Sequence, residues 1–218
     1  VEEERSSVRE VASDVPLIIA PTPIGLPVGA WIGDGGYIAW FGRYDIEVKG
    51  LDLLISAYAL VPEASRMPLR LRGRDSTDGR VAVQALVDNA GLGAWVSVGP
   101  AVEGDEKNDF LCNAAFFVMP SRNEAFSIAL LEVLALGVPS LVSARMPIAA
   151  QLVAENACRV CDVEVPKLAK ALTDVLRAPA TAWQAFRPRE FVARNLTEDI
   201  VGRSFLRQVS DLMESANG

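Results

Sequence analysis

The fold of this chain is decided by the stretch AFFVMPSRNEAFSIALLEVLALGVPSLVS, which covers residues 115–143. A short apolar run is followed by a polar loop, a long apolar segment and a second short apolar run. Short runs that are apolar on both faces are typical of parallel strands covered by helices, and such strands need a crossover between them. The stretch therefore predicts a strand–helix–strand unit, with a deeply packed helix over Ile128 to Leu136.

The same alternation continues on both sides of this unit. Short apolar runs bounded by glycine, proline or asparagine predict six strands, at Tyr37 to Phe41, Leu69 to Arg72, Trp95 to Val98, Ala115 to Met119, Ser140 to Ser143 and Arg159 to Asp162. Apolar stripes with helical spacing lie between them, formed by Leu51, Leu54, Ile55 and Tyr58 and by Val165, Leu168, Leu172 and Val175. Strands that alternate with helices of about ten residues predict an α/β fold with a doubly wound parallel sheet.

The N-terminal part of the chain has a different composition. We expect a charged helix over Val1 to Asp14 and a strand over Val15 to Ala20. Residues 21–36 contain three prolines and five glycines, which is typical of a linker. Residues 1–36 are therefore set apart from the central domain.

The C-terminal part is predicted to be helical. Two further helices are expected from Thr181 onward, and the last carries an apolar stripe formed by Val201, Phe205, Val209 and Leu212. The predicted organisation is thus an N-terminal segment and linker (1–36), a central domain (37–180) and extra C-terminal helices (181–218).

Composition excludes several functions. The chain has 218 residues, with 21 basic and 28 acidic side chains and a net charge of −7. Nucleic acids and anionic membranes bind surfaces rich in lysine and arginine, so we expect neither as a partner. The sequence has no histidine, which excludes Ser-His-Asp and Cys-His nucleophile systems and histidine metal sites. Chemistry must therefore come from carboxylates, arginine, lysine, hydroxyls and backbone amides.

The sequence also favours a cytoplasmic location. No run approaches the roughly 18 apolar residues of a transmembrane segment, and residues 1–10 lack the apolar core of a signal peptide. Three cysteines do not make a disulfide framework. Cys158 and Cys161 form a C-x-x-C pair, but in a strand this spacing places the thiols on opposite faces. We expect structural cysteines and no metal site.

Two strand ends carry candidate binding residues. After the first strand, Arg43 and Lys49 flank a strand-to-helix loop, where two cations can converge on one polyanion at the carboxyl edge of the sheet. The second strand ends in Gly73 between basic residues. Taken alone, the cations are also consistent with solvated surface charges, and the glycine with an ordinary loop.

The segment from Pro120 to Ser140 is the strongest candidate. The amides of Ala125 to Ile128 lie at the start of the apolar helix, and a helix N-terminus is a natural anion site. Glu132 is the only charged residue in the run 125–143. A carboxylate in so apolar a helix is costly unless it faces a polar cleft or a partner.

Together these residues resemble a known family. The resemblance rests on the order Gly-Arg and Lys, then Gly-Arg-Asp, then two glutamates in the context P-S-x-x-E-x-F…L-E-x-x-A-x-G-x-P, formed here by Pro120, Ser121, Glu124, Phe126, Leu131, Glu132, Ala135, Gly137 and Pro139. The chain resembles the Rossmann-like C-terminal, donor-binding domain of the retaining GT-B glycosyltransferases of the family-four group. The match spans about Tyr37 to Leu176.

The resemblance implies which residues hold the phosphates of a nucleotide-sugar donor. Arg43 and Lys49 would hold the diphosphate and stabilise it as it leaves, so no metal or other cofactor is expected. The backbone around Ala125, Phe126, Ser127 and Ile128 would approach the same phosphates.

The resemblance also implies the remaining contacts. Glu124 would touch hydroxyls of the transferred sugar and is, with Arg43 and Lys49, expected to be catalytic. Glu132 would bind the ribose, Val102 lies on the loop expected near the base, and Gly73 is expected to contact the donor. The donor is expected to be a UDP-, GDP- or ADP-sugar.

Length limits what the chain is expected to do alone. Complete GT-B enzymes are about twice as long, so the chain is expected to lack the N-terminal acceptor-binding domain and to be inactive by itself. Two alternatives remain open: a GT-B-fold nucleotide-sugar epimerase domain, and a non-catalytic nucleotide-binding module.

Overall fold

The described part of the protein contains a parallel sheet with helices on both faces. The computed structural model describes Val8 and residues 16–33, 35–75 and 78–217. Within these ranges the sheet has six strands, β1 (Ile38–Arg43), β2 (Leu69–Arg74), β3 (Val96–Gly99), β4 (Phe116–Met119), β5 (Ser140–Ser143) and β6 (Arg159–Cys161). Their order is β3-β2-β1-β4-β5-β6, and every pair is parallel. The predicted α/β, doubly wound parallel sheet is confirmed.

Helices connect the strands and continue beyond the last one. In chain order they are α1 (Ile46–Lys49), α2 (Leu51–Ala59), α3 (Gly79–Asn89), α4 (Gly104–Cys112), α5 (Ile128–Ala135), α6 (Ala149–Ala154), α7 (Val165–Arg177), α8 (Ala180–Trp183), α9 (Pro188–Asn195) and α10 (Glu198–Asn217). Leu54, Ile55 and Tyr58 of α2 are buried, as are Leu168 and Leu172 of α7. The predicted apolar stripes therefore form the inner faces of these helices.

The central strands are apolar on both faces because a separate hydrophobic cluster packs against each face of the sheet. In β1, Ile38 and Trp40 belong to one hydrophobic cluster and Ala39 to the other. In β4, Phe116 belongs to the first cluster and Phe117 to the second. Burial on both faces explains why these strands appear in the sequence as continuous apolar runs rather than as alternating ones.

Strand order creates a crevice at one edge of the sheet. From β1 the chain first builds β2 and β3 on one side, and it then crosses to β4 on the other side of β1. The order in which strands are added therefore reverses between β1 and β4. In open α/β sheets this switch point, at the carboxyl ends of the strands, is where ligands bind.

One predicted strand is wrong. Residues 16–20, the described part of the segment Val15 to Ala20, form no strand. Instead, Ile19 N donates to Oε1 of Gln208 at 3.1 Å, and Nε2 of Gln208 donates to the Ile19 carbonyl at 3.0 Å. A side chain of α10 thus satisfies the backbone of Ile19, in place of a neighbouring strand. The helix expected over Val1 to Asp14 lies, apart from Val8, outside the described residues.

The C-terminal helices agree with the prediction in part. Two helices, α9 with eight residues and α10 with twenty, follow the short helix α8, and Val201 of α10 is buried. Phe205 belongs to the same predicted apolar stripe, and 43% of it is exposed. No helix in the described ranges is long and apolar enough to cross a membrane.

The cysteines of the C-x-x-C pair lie at β6 and are both free. Burial raises the pKa of the Cys158 thiol to about 12 and that of Cys161 to about 11. Both therefore stay protonated near neutral pH, which is consistent with structural cysteines. Among the described residues, no group of acidic, cysteine or histidine side chains could hold a metal ion.

Gly73 allows β1 and β2 to approach each other at the edge of the crevice. Gly73 pairs with Gly42, and a methyl group at residue 73 would overlap the Gly42 carbonyl oxygen and lie 3.2 Å from the Trp40 ring. We predict that Gly73→Ala lowers the free energy of unfolding by about 2–3 kcal/mol, because the strands must separate. Urea denaturation measures this loss.

Gly93→Ala is the matched control, because nothing lies within 4 Å of a methyl group at that position. Its free energy of unfolding should change by less than about 0.5 kcal/mol. Equal effects of the two substitutions would show that the contact between Gly73 and Gly42 is not tight in solution.

Candidate functional site

A cleft of about 480 Å³ opens at the switch point. It lies between the carboxyl ends of β1 and β2, the loop after β3, and the first turns of α4 and α5. Its lining is formed by Phe41, Gly42, Arg43, Arg74, Ala101, Val102, Glu103, Lys107, Ile128, Ala129 and Glu132. The cleft therefore combines an apolar floor with five charged side chains.

Two of the three cations in the cleft are paired with its two carboxylates. Arg74 donates to Glu103 at 2.8 Å, and both side chains are largely exposed. Lys107 donates to Oε1 of Glu132 at 2.7 Å, with both side chains mostly buried. Arg43 contacts Asp45 at 3.4 Å and remains 59% exposed. Arg43 is thus the cleft cation that is most available to an incoming anion.

The loop after β1, residues 44–50 (the β1 loop), is shaped by two local features. Asp45 caps α1, because its carboxylate accepts a hydrogen bond from Val48 N at 3.1 Å. Gly50 ends α1 with a φ of +64°, in the left-handed region that favours glycine. A methyl group at Gly50 would overlap the Pro120 carbonyl oxygen. Both its conformation and this close contact therefore require glycine.

The loop after β4, residues 120–127 (the β4 loop), is attached to the β1 loop and the start of α2. Arg122 binds Asp52 of α2 through two parallel hydrogen bonds of 2.7 and 2.6 Å. The same guanidinium donates to the Glu47 carbonyl at 3.0 Å, and Arg122 N donates to the Val48 carbonyl at 2.9 Å. The Arg122 guanidinium lowers the pKa of Asp52 by hydrogen bonding to its carboxylate.

A second ion pair joins the β4 loop to the β1 loop. Nζ of Lys49 contacts Oε1 of Glu124, and the two side chains are only 13% and 10% exposed. The Ser121 hydroxyl donates to the same oxygen at 3.4 Å. Lys49 and Glu124 were both predicted as site residues, and the structure brings them together as partners of each other.

The N-terminus of α5 faces the cleft. Ser127 is its N-cap and accepts a hydrogen bond from Leu130 N at 3.4 Å, while Ile128 and Ala129 line the cleft directly. The first amides of a helix carry partial positive charge and lack partners within the helix. This end of α5 thus adds to the field of Arg43.

The structure separates the predicted site residues into groups. Four line the cleft, namely Arg43, Val102, Ile128 and Glu132. Ala125 and Phe126 instead line a second pocket of about 390 Å³, which also includes residues 19–22. Gly73 lies in an open depression beside the cleft with Arg74 and Arg80.

Seven cleft residues were not predicted as site residues, namely Phe41, Gly42, Arg74, Ala101, Glu103, Lys107 and Ala129. Arg74 belongs to the Gly-Arg-Asp strand end, so its position offered a signal. Lys107 lies in a helix that also carries Asp105, Glu106 and Asp109, where a lysine looks like one more surface charge. Its approach to Glu132 is a contact between distant elements, which local sequence does not specify.

A doubly wound sheet with a cleft at its switch point is the architecture of a Rossmann-like domain of the GT-B type. Residues 30–186 match the family described as glycosyl transferases group 1. The chain belongs to this family, and the predicted resemblance to glycosyltransferases of the GT-B fold is confirmed.

Individual relatives agree with the family. A D-inositol 3-phosphate glycosyltransferase from Xylanimonas cellulosilytica is 32% identical over 122 residues, which are 56% of this chain and 28% of that protein. Sucrose-phosphate synthase from Thermosynechococcus elongatus has a TM-score of 0.80 at 22% identity, covering 98% of this chain and 57% of the synthase. A TarM variant from S. aureus, solved with fondaparinux, alpha-GlcNAc-glycerol and UDP, has a TM-score of 0.78 at 12% identity, covering 95% and 42% of the two chains. The two structural similarities show the fold, and the chain spans only part of each relative.

The Arg122–Asp52 pair should make stability depend on pH. The folded pKa of Asp52 lies below its ordinary value of 3.8, so the pair stabilises the fold above that pH and loses its contribution as pH falls through the folded pKa. We predict that Asp52→Asn lowers the free energy of unfolding by about 1 kcal/mol at neutral pH. The difference from the wild type should shrink in urea titrations at about pH 3.

Asp174→Asn is a suitable control, since Asp174 is about as exposed as Asp52 (39% against 37%) but has single contacts with Lys170 and Arg159 instead of two parallel hydrogen bonds from one guanidinium. Its substitution should have the smaller effect on stability. A wild-type advantage over Asp52→Asn that persists undiminished in acid would exclude the ion pair as its source.

Proposed function

We propose that this chain is the donor-binding half of a retaining glycosyltransferase that uses a nucleoside diphosphate sugar. The observation that carries the proposal is the cleft, which places the exposed Arg43, the N-terminus of α5 and Glu132 around one space at the switch point. A cation and a helix N-terminus suit a diphosphate, and a carboxylate suits sugar hydroxyls. The retaining outcome rests on the resemblance of the two-glutamate signature to the family-four group.

The diphosphate would lie between Arg43 and the start of α5. Arg43 can donate several hydrogen bonds in a fixed geometry, and its weak contact with Asp45 is easily replaced. Lys49 contributes to the same phosphates once it exchanges Glu124 for the ligand. We propose that these charges stabilise the leaving diphosphate, without a metal or other cofactor.

The remaining parts of the donor follow from the two glutamates and the loop after β3. Glu132 lines the cleft and would accept hydrogen bonds from the ribose, with the base near Val102. Glu124, the partner of Lys49, lies in the β4 loop. The next two residues, Ala125 and Phe126, line the second pocket. The transferred sugar would lie on this side, close to Glu124.

The acceptor is proposed to bind elsewhere in the complete enzyme. The chain covers 28% of its curated relative and 57% of the synthase, which leaves room for a separate acceptor-binding domain. Product analysis with and without an acceptor would distinguish transfer from epimerisation. A screen of UDP, GDP and ADP would identify the base of the donor nucleotide.

The cytoplasmic location stays a prediction.

The first test concerns charge. We predict that Arg43→Ala and Lys49→Ala each weaken binding of a nucleoside diphosphate through the loss of about 1.5–3 kcal/mol of charge-assisted contact, roughly ten- to hundredfold. Calorimetry measures both affinities, and added salt should weaken wild-type binding because Arg43 is exposed.

Arg177→Ala is the matched control, because Arg177 contacts Ser65 at the end of the sheet away from the cleft. Its affinity should equal that of the wild type. Equal wild-type affinity for a nucleoside and its diphosphate would show that Arg43 and Lys49 do not bind the phosphates.

The second test separates the two glutamates. Glu132→Gln should weaken binding of the free nucleoside diphosphate, because that ligand contains the ribose. Glu124→Gln should not weaken it, because the ligand lacks the transferred sugar, but should reduce the gain in affinity for the intact nucleotide sugar. Calorimetry with both ligands measures the difference. A loss of diphosphate affinity in Glu124→Gln as large as that in Glu132→Gln would contradict this division of roles.

A further inference from the structure

Lys107 connects two walls of the cleft. It extends from α4, and its Nζ donates to Oε1 of Glu132 on α5 at 2.7 Å. The two side chains are 20% and 28% exposed, and the Lys107 ammonium lies 5.8 Å from the centre of the Phe41 ring. The lysine is therefore held by a carboxylate and an aromatic ring inside the cleft rather than extended into solvent.

The contact uses one oxygen of Glu132 and leaves the other available. Oε1 accepts the hydrogen bond from Lys107, and no group in the described part of the chain donates to Oε2. A carboxylate held through one oxygen loses rotational freedom before a ligand arrives. Ligand binding then does not have to order this carboxylate, so less entropy is lost in the binding step.

Lys107 also sets the charge that a ligand meets. The cleft has three cationic side chains, Arg43, Arg74 and Lys107, and two carboxylates, Glu103 and Glu132. Without Lys107 the charges would cancel, and an unpaired Glu132 would repel an anionic ligand. At the partly buried position of Glu132 this repulsion is weakly screened.

We propose that Lys107 is a positioning residue for the ribose of the nucleotide. It fixes the Glu132 carboxylate with Oε2 open to a ribose hydroxyl, and it neutralises Glu132 so that the diphosphate can bind nearby. The proposal rests on the proposed function, in which Glu132 binds the ribose. It assigns to Lys107 no contact with the ligand.

The test is a double-mutant cycle in the full chain. Calorimetry measures the affinity for UDP, GDP and ADP, and for their 2′-deoxy forms, in the wild type, Lys107→Met, Glu132→Gln and the double variant. We expect Lys107→Met to weaken ribonucleotide binding about fivefold or more, and to change affinity less than about twofold once Glu132 is glutamine. The preference for the ribose over the deoxyribose form should fall in Lys107→Met.

Two further variants distinguish positioning from a general effect on the fold. Lys107→Arg keeps the charge and the donor, and it should retain most of the affinity and of the ribose preference. Lys167→Met removes an exposed lysine of α7, outside the cleft, that pairs with Asp162 and Glu164. This variant should bind nucleotides like the wild type. Thermal unfolding of each variant shows whether an altered affinity reflects altered folding.

The outcomes are separable. If Lys107→Met weakens binding equally in the wild type and in Glu132→Gln, Lys107 contacts the ligand directly and the positioning role is wrong. If Lys107→Met leaves the ribose preference unchanged, the role is also wrong, although Glu132 can still bind the ribose. If Glu132→Gln itself leaves the ribose preference unchanged, the ribose role of Glu132 fails, and the proposal for Lys107 fails with it.

Discussion

The site depends on the contact between the β1 loop and the β4 loop. Gly50 allows the two backbones to touch at the Pro120 carbonyl, the Arg122–Asp52 pair fastens the β4 loop to α2, and Lys49 reaches Glu124. Each of these contacts joins residues that are about seventy positions apart in sequence. Because β1 and β4 are adjacent parallel strands, their carboxyl ends bring the two loops together. The position of α5, and with it the cleft wall that carries Glu132, follows from this contact.

Much of the fold could be predicted because the central strands are buried on both faces. Runs such as Phe116 to Met119 and Leu141 to Val142 have few polar residues, and a chain that alternates such runs with amphipathic helices has few ways to pack. The strand expected over Val15 to Ala20 shows the limit of this argument. An apolar run does not show that its backbone pairs in a sheet; here residues 16–20 are exposed or partly exposed, and Ile19 bonds to Gln208 of a helix nearly two hundred residues away. Phe205 shows a similar limit, since helical spacing alone does not show which turns of a long helix pack against the rest of the protein.

The site was predictable to a different degree. The signature residues predicted a site at the carboxyl edge of the sheet, and the structure has a cleft at that edge, because spacing around a strand end fixes which side chains emerge there. Their partners were not predictable, since Lys49 with Glu124 and Lys107 with Glu132 are long-range pairs. Charged residues at strand ends therefore indicate where the cleft lies, but they do not show which of them are paired with each other. In this chain the difference matters, because both signature carboxylates already have a cation.

Glu124 and Glu132 differ in whether their ion pairs must separate before a ligand can bind. The Lys49–Glu124 pair is almost buried, so separating it leaves poorly hydrated charges unless a new partner arrives at the same time. The Lys107–Glu132 pair lines the open cleft and leaves one carboxylate oxygen available, so a hydroxyl can bind without breaking it. Under the proposed function, the ribose end of the site is preformed, whereas the phosphate end requires Lys49 to change partners. A diphosphate that takes Lys49 would release Glu124 at the same moment, and the carboxylate proposed for the transferred sugar would become available only in a site that already holds a donor.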